Sequence, residues 1–286
     1  MQSVAIVGVG LIGGSFGLAL RRQGFAGPIY GVSSTGAIDA ALKAGAISSA
    51  LSLDQAAASA DLVYLSQPVD RILATIEALA APVAARVSRS PILITDAGST
   101  KRLIVDQAAR FLPPNTFLGG HPMAGKERSG VEVAAANLFV DRPYVLTPPP
   151  GFAHPFDFTF REWLSNSGAR LLSLDPSEHD EIVAFTSHLP QLLSTALAAT
   201  LDRAGNPLFS ELHGTGLLDM SRLALSSHTL WESIIATNRG PILDALGVFL
   251  TEFQALRDAV IRGDLSTEFV KANTFSASLR KLPHSF

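Results

Sequence analysis

The sequence predicts an α/β protein: a Rossmann-like, mostly parallel sheet in the first part, followed by an all-helical second part. Three observations carry this. Over residues 1–174, short runs that are apolar throughout alternate with Ala- and Leu-rich helical patterns. Strands without polar alternation belong in sheets covered by helices on both faces. Gly8-Val9-Gly10-Leu11-Ile12-Gly13 fits G-x-G-x-x-G between the first apolar run and the first helical pattern. From residue 175 onward the periodicity is helical, with no convincing strand. The domains are therefore drawn as 1–174, a dinucleotide-binding α/β domain, and 175–286, a helical substrate and dimerisation domain.

The elements follow in order. Val4–Val7, Ile29–Val32, Leu62–Leu65, Ile92–Thr95 and Phe117–Gly119 read as strands. Ile38–Ala44, Val69–Ala81 and Arg102–Phe111 read as helices between them. Pro148-Pro149-Pro150-Gly151 breaks the chain, and a helix (Asp157–Ser165) and a strand (Arg170–Leu174) follow. Asp175-Pro176-Ser177-Glu178 is a helix start, with Asp as N-cap and Pro at the first helical position. Ile182, Phe185, Leu189, Leu192 and Leu193 then recur at helical spacing, as do Phe249, Phe253, Leu256 and Val260. Segments such as Leu192–Leu201 and Leu246–Leu256 are too apolar to be covered by one small α/β domain. A second copy of the chain is the simplest cover. A homodimer with intertwined helical domains, and an active site in the cleft between the two domain types, is expected.

Composition narrows the function. Of 286 residues, 47% are hydrophobic and 16% charged, enough for a core and against disorder. A net charge of -3 offers no basic field to nucleic acid. There is no cysteine, which excludes disulfides, zinc thiolates and a cysteine nucleophile. His154, His213, His228 and His284 lack ligand spacing and there is no HExxH, so no metal is expected. Residues 1–20 carry no charge, but Arg21 and Arg22 follow rather than precede this stretch and five glycines interrupt it, unlike a signal peptide. No other uncharged run suits a bilayer, so a cytoplasmic protein without a membrane partner is expected.

The glycine segment predicts dinucleotide binding. Gly8 would allow the tight turn, Gly10 the approach of a pyrophosphate, and Gly13 the packing of helix on strand, with Leu11 and Ile12 opening that helix. The acidic residue that usually reads the NAD ribose is missing: the second strand runs into Ser33-Ser34-Thr35. No arginine stands there either. These hydroxyls can bond a ribose or a phosphate, so NADP, or both NADP and NAD, is the expected cofactor. Gln67 and Pro68, after the third strand, complete the cofactor set. Gly13-Gly14-Ser15-Phe16-Gly17 matches a hydrolase elbow, but Ser15 falls within the first helix rather than on a strand-ending turn.

Two further segments end strands on the same side of the sheet, where such sheets bind ligands. They are Asp96-Ala97-Gly98-Ser99-Thr100-Lys101 and Gly119–Gly130, which contains His121-Pro122-Met123-Ala124-Gly125. Ser99 or Thr100 could cap the helix that follows. With the fingerprint, Ser187-His188-Leu189-Pro190, Arg222 and Trp231, these segments resemble the prephenate/arogenate dehydrogenases of tyrosine biosynthesis, in order and over nearly the whole chain. The resemblance implies an NAD(P)-dependent oxidative decarboxylation of prephenate to 4-hydroxyphenylpyruvate, or of arogenate to tyrosine. It implies catalysis by His121 as base, with Ser99 on the same hydroxyl. It also implies substrate binding by Arg222 on the ring carboxylate, by His188, and by Glu127 near the pocket entrance. Pairing through helical halves is a further implication.

Some residues depart from that pattern. Gln67 stands where a small or apolar residue would face the nicotinamide, and Gln191 stands where some relatives carry a second histidine. Glu178 and Asp180 are candidates to read an amino group in arogenate, or are charges of a helix start. Two other functions compete. A β-hydroxyacid dehydrogenase would need a catalytic lysine, with only Lys271 and Lys281 in the helical half. A nucleotide sensor without catalysis would not need Ser99 and His121.

Overall fold

The computed structural model describes residues 1–126 and 128–281, so Glu127 and His284 lie outside the described residues. Eight strands form one sheet: β1 (Val4–Val7), β2 (Ile29–Val32), β3 (Ser49–Ala50), β4 (Leu62–Leu65), β5 (Leu93–Asp96), β6 (Phe117–Pro122), β7 (Pro143–Thr147) and β8 (Arg170–Ser173). Their order is β3-β2-β1-β4-β5-β6-β7-β8, parallel throughout except for the antiparallel pair β6–β7. The order reverses direction at β1/β4, the crevice where doubly wound sheets bind ligands.

Among the described residues, six helices lie between the strands: α1 (Leu11–Arg22), α2 (Thr35–Lys43), α3 (Leu53–Ser59), α4 (Val69–Val87), α5 (Arg102–Phe111) and α6 (Asp157–Asn166). The remaining six follow the last strand: α7 (Pro176–Val183), α8 (Leu189–Ala204), α9 (Thr215–Ser221), α10 (His228–Thr237), α11 (Arg239–Arg262) and α12 (Ser266–Lys281). A wider, π-type turn, Ala184–His188, joins α7 to α8, and a 3-10 turn, Arg222–Leu225, follows α9. By internal contacts the chain divides into one unit of residues 1–180 with 227–237, and another of 181–226 with 238 onward.

Both faces of the sheet are dry. Val4 and Ile6 on one face of β1, and Ala5 and Val7 on the other, belong to separate buried clusters. Phe16 of α1 stacks on Tyr64 of β4 at 4.2 Å between ring centres, and the Tyr64 hydroxyl lies 3.1 Å from that of Tyr144 on β7. Burial holds both phenols protonated by raising them above the usual tyrosine range. This column fixes α1, and with it the glycine turn at its start.

Four sequence expectations change. β3, β7 and α3 were not anticipated, and β6 extends through His121 to Pro122. α4 does not stop at Ala81 but runs through Pro82 to Val87. The carbonyl that Pro82 leaves without a donor is that of Ala78, which is exposed to water. α3 opens on a capping box: Ser52 accepts from the Gln55 N–H and Gln55 accepts from the Ser52 N–H, at 3.2 and 2.9 Å. Finally, the helical stretch 176–204 is long and apolar enough to cross a membrane, contrary to the expectation that no further uncharged run is; its residues 182–201 carry no Asp, Glu, Lys or Arg.

Candidate active site

The loops after β1, β2 and β4 enclose a groove of about 750 Å³ at the β1/β4 crevice. Gly8, Gly10, Ser33, Ser34, Gln67 and Pro68, all expected from the sequence, line it. Leu11, Ile12, Gly13 and Thr35 do not; they sit just behind, at the starts of α1 and α2. Three glycines divide the work as the spacing implies. Gly8 has φ +93°, a conformation that side chains resist. A methyl group on Gly13 would collide with the Gly8 carbonyl, the Ser66 hydroxyl and Ile6. A methyl on Gly10 would meet nothing within 4 Å. The open space at Gly10, at the N-terminus of α1, fits a pyrophosphate against free N–H groups.

Ser66 Oγ donates to the Gly8 carbonyl at 2.8 Å, and Thr75 Oγ1 donates to Gln67 Oε1 at 2.8 Å. The amide of Gln67 is thus anchored to α4 by its oxygen. Arg71, in the first turn of α4, also lines the groove, with Ser33 and Ser34. Sequence reasoning missed it, because it looked for a cation directly after β2.

His121 lies near the carboxyl end of β6 and Ser99 in the loop after the neighbouring β5. His121 Nδ1 is 2.8 Å from Nε2 of His179, and His179 Nδ1 is 2.8 Å from Oδ1 of Asp180. The protons follow from the end of this chain. A carboxylate only accepts, so His179 carries its proton on Nδ1. With His179 neutral, its Nε2 accepts from His121 Nδ1–H, which leaves Nε2 of His121 as that ring's basic nitrogen. Asp180 is fixed in turn by the first turn of α5: the Lys101 and Arg102 N–H groups donate to its two oxygens at 2.7 and 3.0 Å. His179 and Asp180 are 1% and 2% exposed.

Two expectations are corrected here. Neither Ser99 nor Thr100 caps α5; the Asp180 carboxylate takes that place, while Thr100 Oγ1 lies 2.9 Å from Thr237 Oγ1 on α10. Asp180 is buried on α5 and His179, so it is not a reader of a substrate amino group, and Glu178 beside it is exposed.

Beneath His121 lies a buried ion pair. Lys101 Nζ donates to Asp96 Oδ2, and both side chains are 0% exposed. Asp96 also accepts the Gly98 and Gly120 N–H groups at 2.8 and 3.0 Å, tying the β5 loop to β6 one residue before His121. Burial pushes the Lys101 ammonium below the usual lysine range, and the Asp96 charge opposes that push.

In the second unit, His188 ends the π-type turn and is buried, with Nδ1 3.2 Å from Asn238 Nδ2. Arg222 is exposed at the start of the 3-10 turn. Gln191 is buried on α8 and donates to the Leu223 carbonyl at 2.8 Å. Lys271 is exposed on α12.

Comparison with known proteins is consistent along the chain. A family model described as the nucleotide-binding domain of prephenate dehydrogenase matches residues 16–157, and one described as its dimerization domain matches 175–273. The prephenate dehydrogenase of Bacillus subtilis is 33% identical over 273 residues, 94% of this chain and 72% of that relative. The solved prephenate dehydrogenase of Aquifex aeolicus, in complex with hydroxyphenyl propionate and NAD+, superposes with a TM-score of 0.89. It is 30% identical, with 98% of this chain and 99% of that one covered. Synechocystis arogenate dehydrogenase superposes with a TM-score of 0.77 at 28% identity, covering 97% and 98% of the two chains.

Proposed function

The chain belongs to the prephenate/arogenate dehydrogenase family, and from that premise we propose that it oxidises prephenate to 4-hydroxyphenylpyruvate and carbon dioxide. The observation that carries this reading is the hydrogen-bonded series His121–His179–Asp180 beside a dinucleotide groove on one sheet. When bound, the nicotinamide dinucleotide supplies the hydride acceptor. The chain's own residues do the rest. His121 Nε2 takes the proton of the ring hydroxyl as hydride leaves the same carbon. The new positive charge on His121 is shared through His179 toward the Asp180 carboxylate, which holds both rings in the required tautomers. Ser99 bonds the same hydroxyl, and Arg222 pairs with the ring carboxylate through its planar fork. His188 lines the substrate site. Loss of carbon dioxide makes the ring aromatic, so no metal is required to drive the reaction.

Prephenate is favoured over arogenate because Asp180 is committed elsewhere and Glu178 is exposed. Use of NADP as well as NAD is supported by Arg71, which brings to the groove of Ser33 and Ser34 the cation missing from the β2 loop. The reading includes cytoplasmic residence and a homodimer formed through the helical part. The test is appearance of the reduced cofactor with prephenate and arogenate, each with NAD+ and NADP+, for the native chain and His121→Asn. The native chain should turn over prephenate faster. His121→Asn should bind cofactor normally and lose about 10²–10⁴-fold in kcat. Undiminished turnover by His121→Asn would refute the assignment, and faster turnover of arogenate would reverse the substrate order.

A further inference from the structure

Helix α8 has an inverted burial pattern. Its sequence, Leu189–Ala204, is mostly Leu and Ala, yet its two buried residues are Gln191 and Ser194, at 5% and 2% exposure. Burying an amide or a hydroxyl is costly unless each finds a partner. Both do, on consecutive residues of one short turn. Gln191 Nε2 donates to the Leu223 carbonyl at 2.8 Å, and Ser194 Oγ accepts the Ala224 N–H at 3.0 Å. The turn is Arg222–Leu225, and none of its own side chains is buried. Leu223 and Ala224 are half-buried, while Arg222 and Leu225 are exposed. Two side-chain bonds from α8 fix one carbonyl and one N–H directly after Arg222.

We propose that Gln191 and Ser194 are positioning residues for Arg222: they lock the backbone that aims its guanidinium at the substrate carboxylate. The inference rests on the reading of Arg222 as the carboxylate-binding residue. A bidentate guanidinium–carboxylate pair needs both partners in a narrow geometry, so freedom in the carrying backbone weakens binding without removing the charge. Thr195 Oγ1, 3.3 Å from Gln191 Nε2, steadies the amide on its own helix.

Steady-state kinetics on the full chain test this, with Gln191→Leu, Ser194→Ala, Arg222→Ala and the double variants that combine each of the first two with the third. Gln191→Leu removes the donor at similar volume and leaves the Leu223 carbonyl with only the Ser226 N–H of its own turn. It should raise KM for prephenate about 5–30-fold, with kcat within about threefold of native and cofactor KM unchanged. Ser194→Ala should act in the same direction, more weakly. Because both act through Arg222, neither should add to the KM of Arg222→Ala in the double variants. Additive losses would overturn the inference and leave the role of Arg222 intact. An unchanged KM in Arg222→Ala would overturn the role of Arg222 itself. If Gln191→Leu fails to fold, Ser194→Ala and its double variant decide, and a native KM for Ser194→Ala then refutes the proposal.

Discussion

Lys101 places an amine where no water reaches, and the Asp96 carboxylate is its counter-charge. Removing one partner of such a pair strands the other, at a cost of about 3–5 kcal/mol. Lys101→Met should lower the unfolding free energy in urea by that amount, and a loss below about 1 kcal/mol would show that Asp96 is satisfied by its two backbone donors alone. The same residues show how far a sequence can be read. His121 was legible because glycines and a proline around it mark a strand-ending loop. His179 was not. It stands 58 positions away, in a helix start that looks ordinary, and only the fold brings its ring to His121. Asp180 resembled a charge of its own helix and is instead the anion at the start of another.

At the scale of elements, the turn between β1 and α1 separates folding from binding. Gly10→Ala puts a methyl group into open space, so stability should stay within about 0.5 kcal/mol of native. The same methyl would obstruct the pyrophosphate, and the cofactor Kd should rise at least about tenfold. Gly13→Ala forces a methyl into the Gly8 carbonyl and Ser66, and should cost about 1–3 kcal/mol of stability. Equilibrium unfolding and cofactor titration of both variants check the pair; equal behaviour would refute the division. The elements read correctly from sequence were the long or strongly apolar ones, such as β1, β4 and α5. β3, of two residues, is too short to carry a pattern. β7 starts on Pro143 and runs into Pro148, and prolines argue against a strand. α3 was marked by Ser52 and Gln55, a legible signal that was passed over.

For the whole molecule, the apolar surface of the helical part is the dominant fact. Only 28% of the apolar window in the helical stretch 176–204 is buried within one chain, and Phe253, Ile261, Phe269 and Phe275 are all more than half exposed. The match to a dimerization-domain family model over 175–273 supports a second copy as the cover. Light scattering at micromolar protein should give twice the 30.1 kDa of one chain, and a mass of one chain would refute the dimer. The chain also differs along its length in how it tolerates insertion and deletion. The exposed loop around Gly151 can gain or lose a residue at little cost. The π-type turn at 184–188 can lose one, but the first turn of α8 cannot. A π-type turn holds one residue more than α winding needs, so a single deletion there closes it into regular α-helix with α8 in its present orientation, whereas a deletion just past it, at 189 or 190, rotates the rest of α8 by about 100°. Leu192 and Thr195 would then face the turn that now receives Gln191 and Ser194, and a frame-preserving loss of one codon would act at Arg222, more than thirty residues downstream.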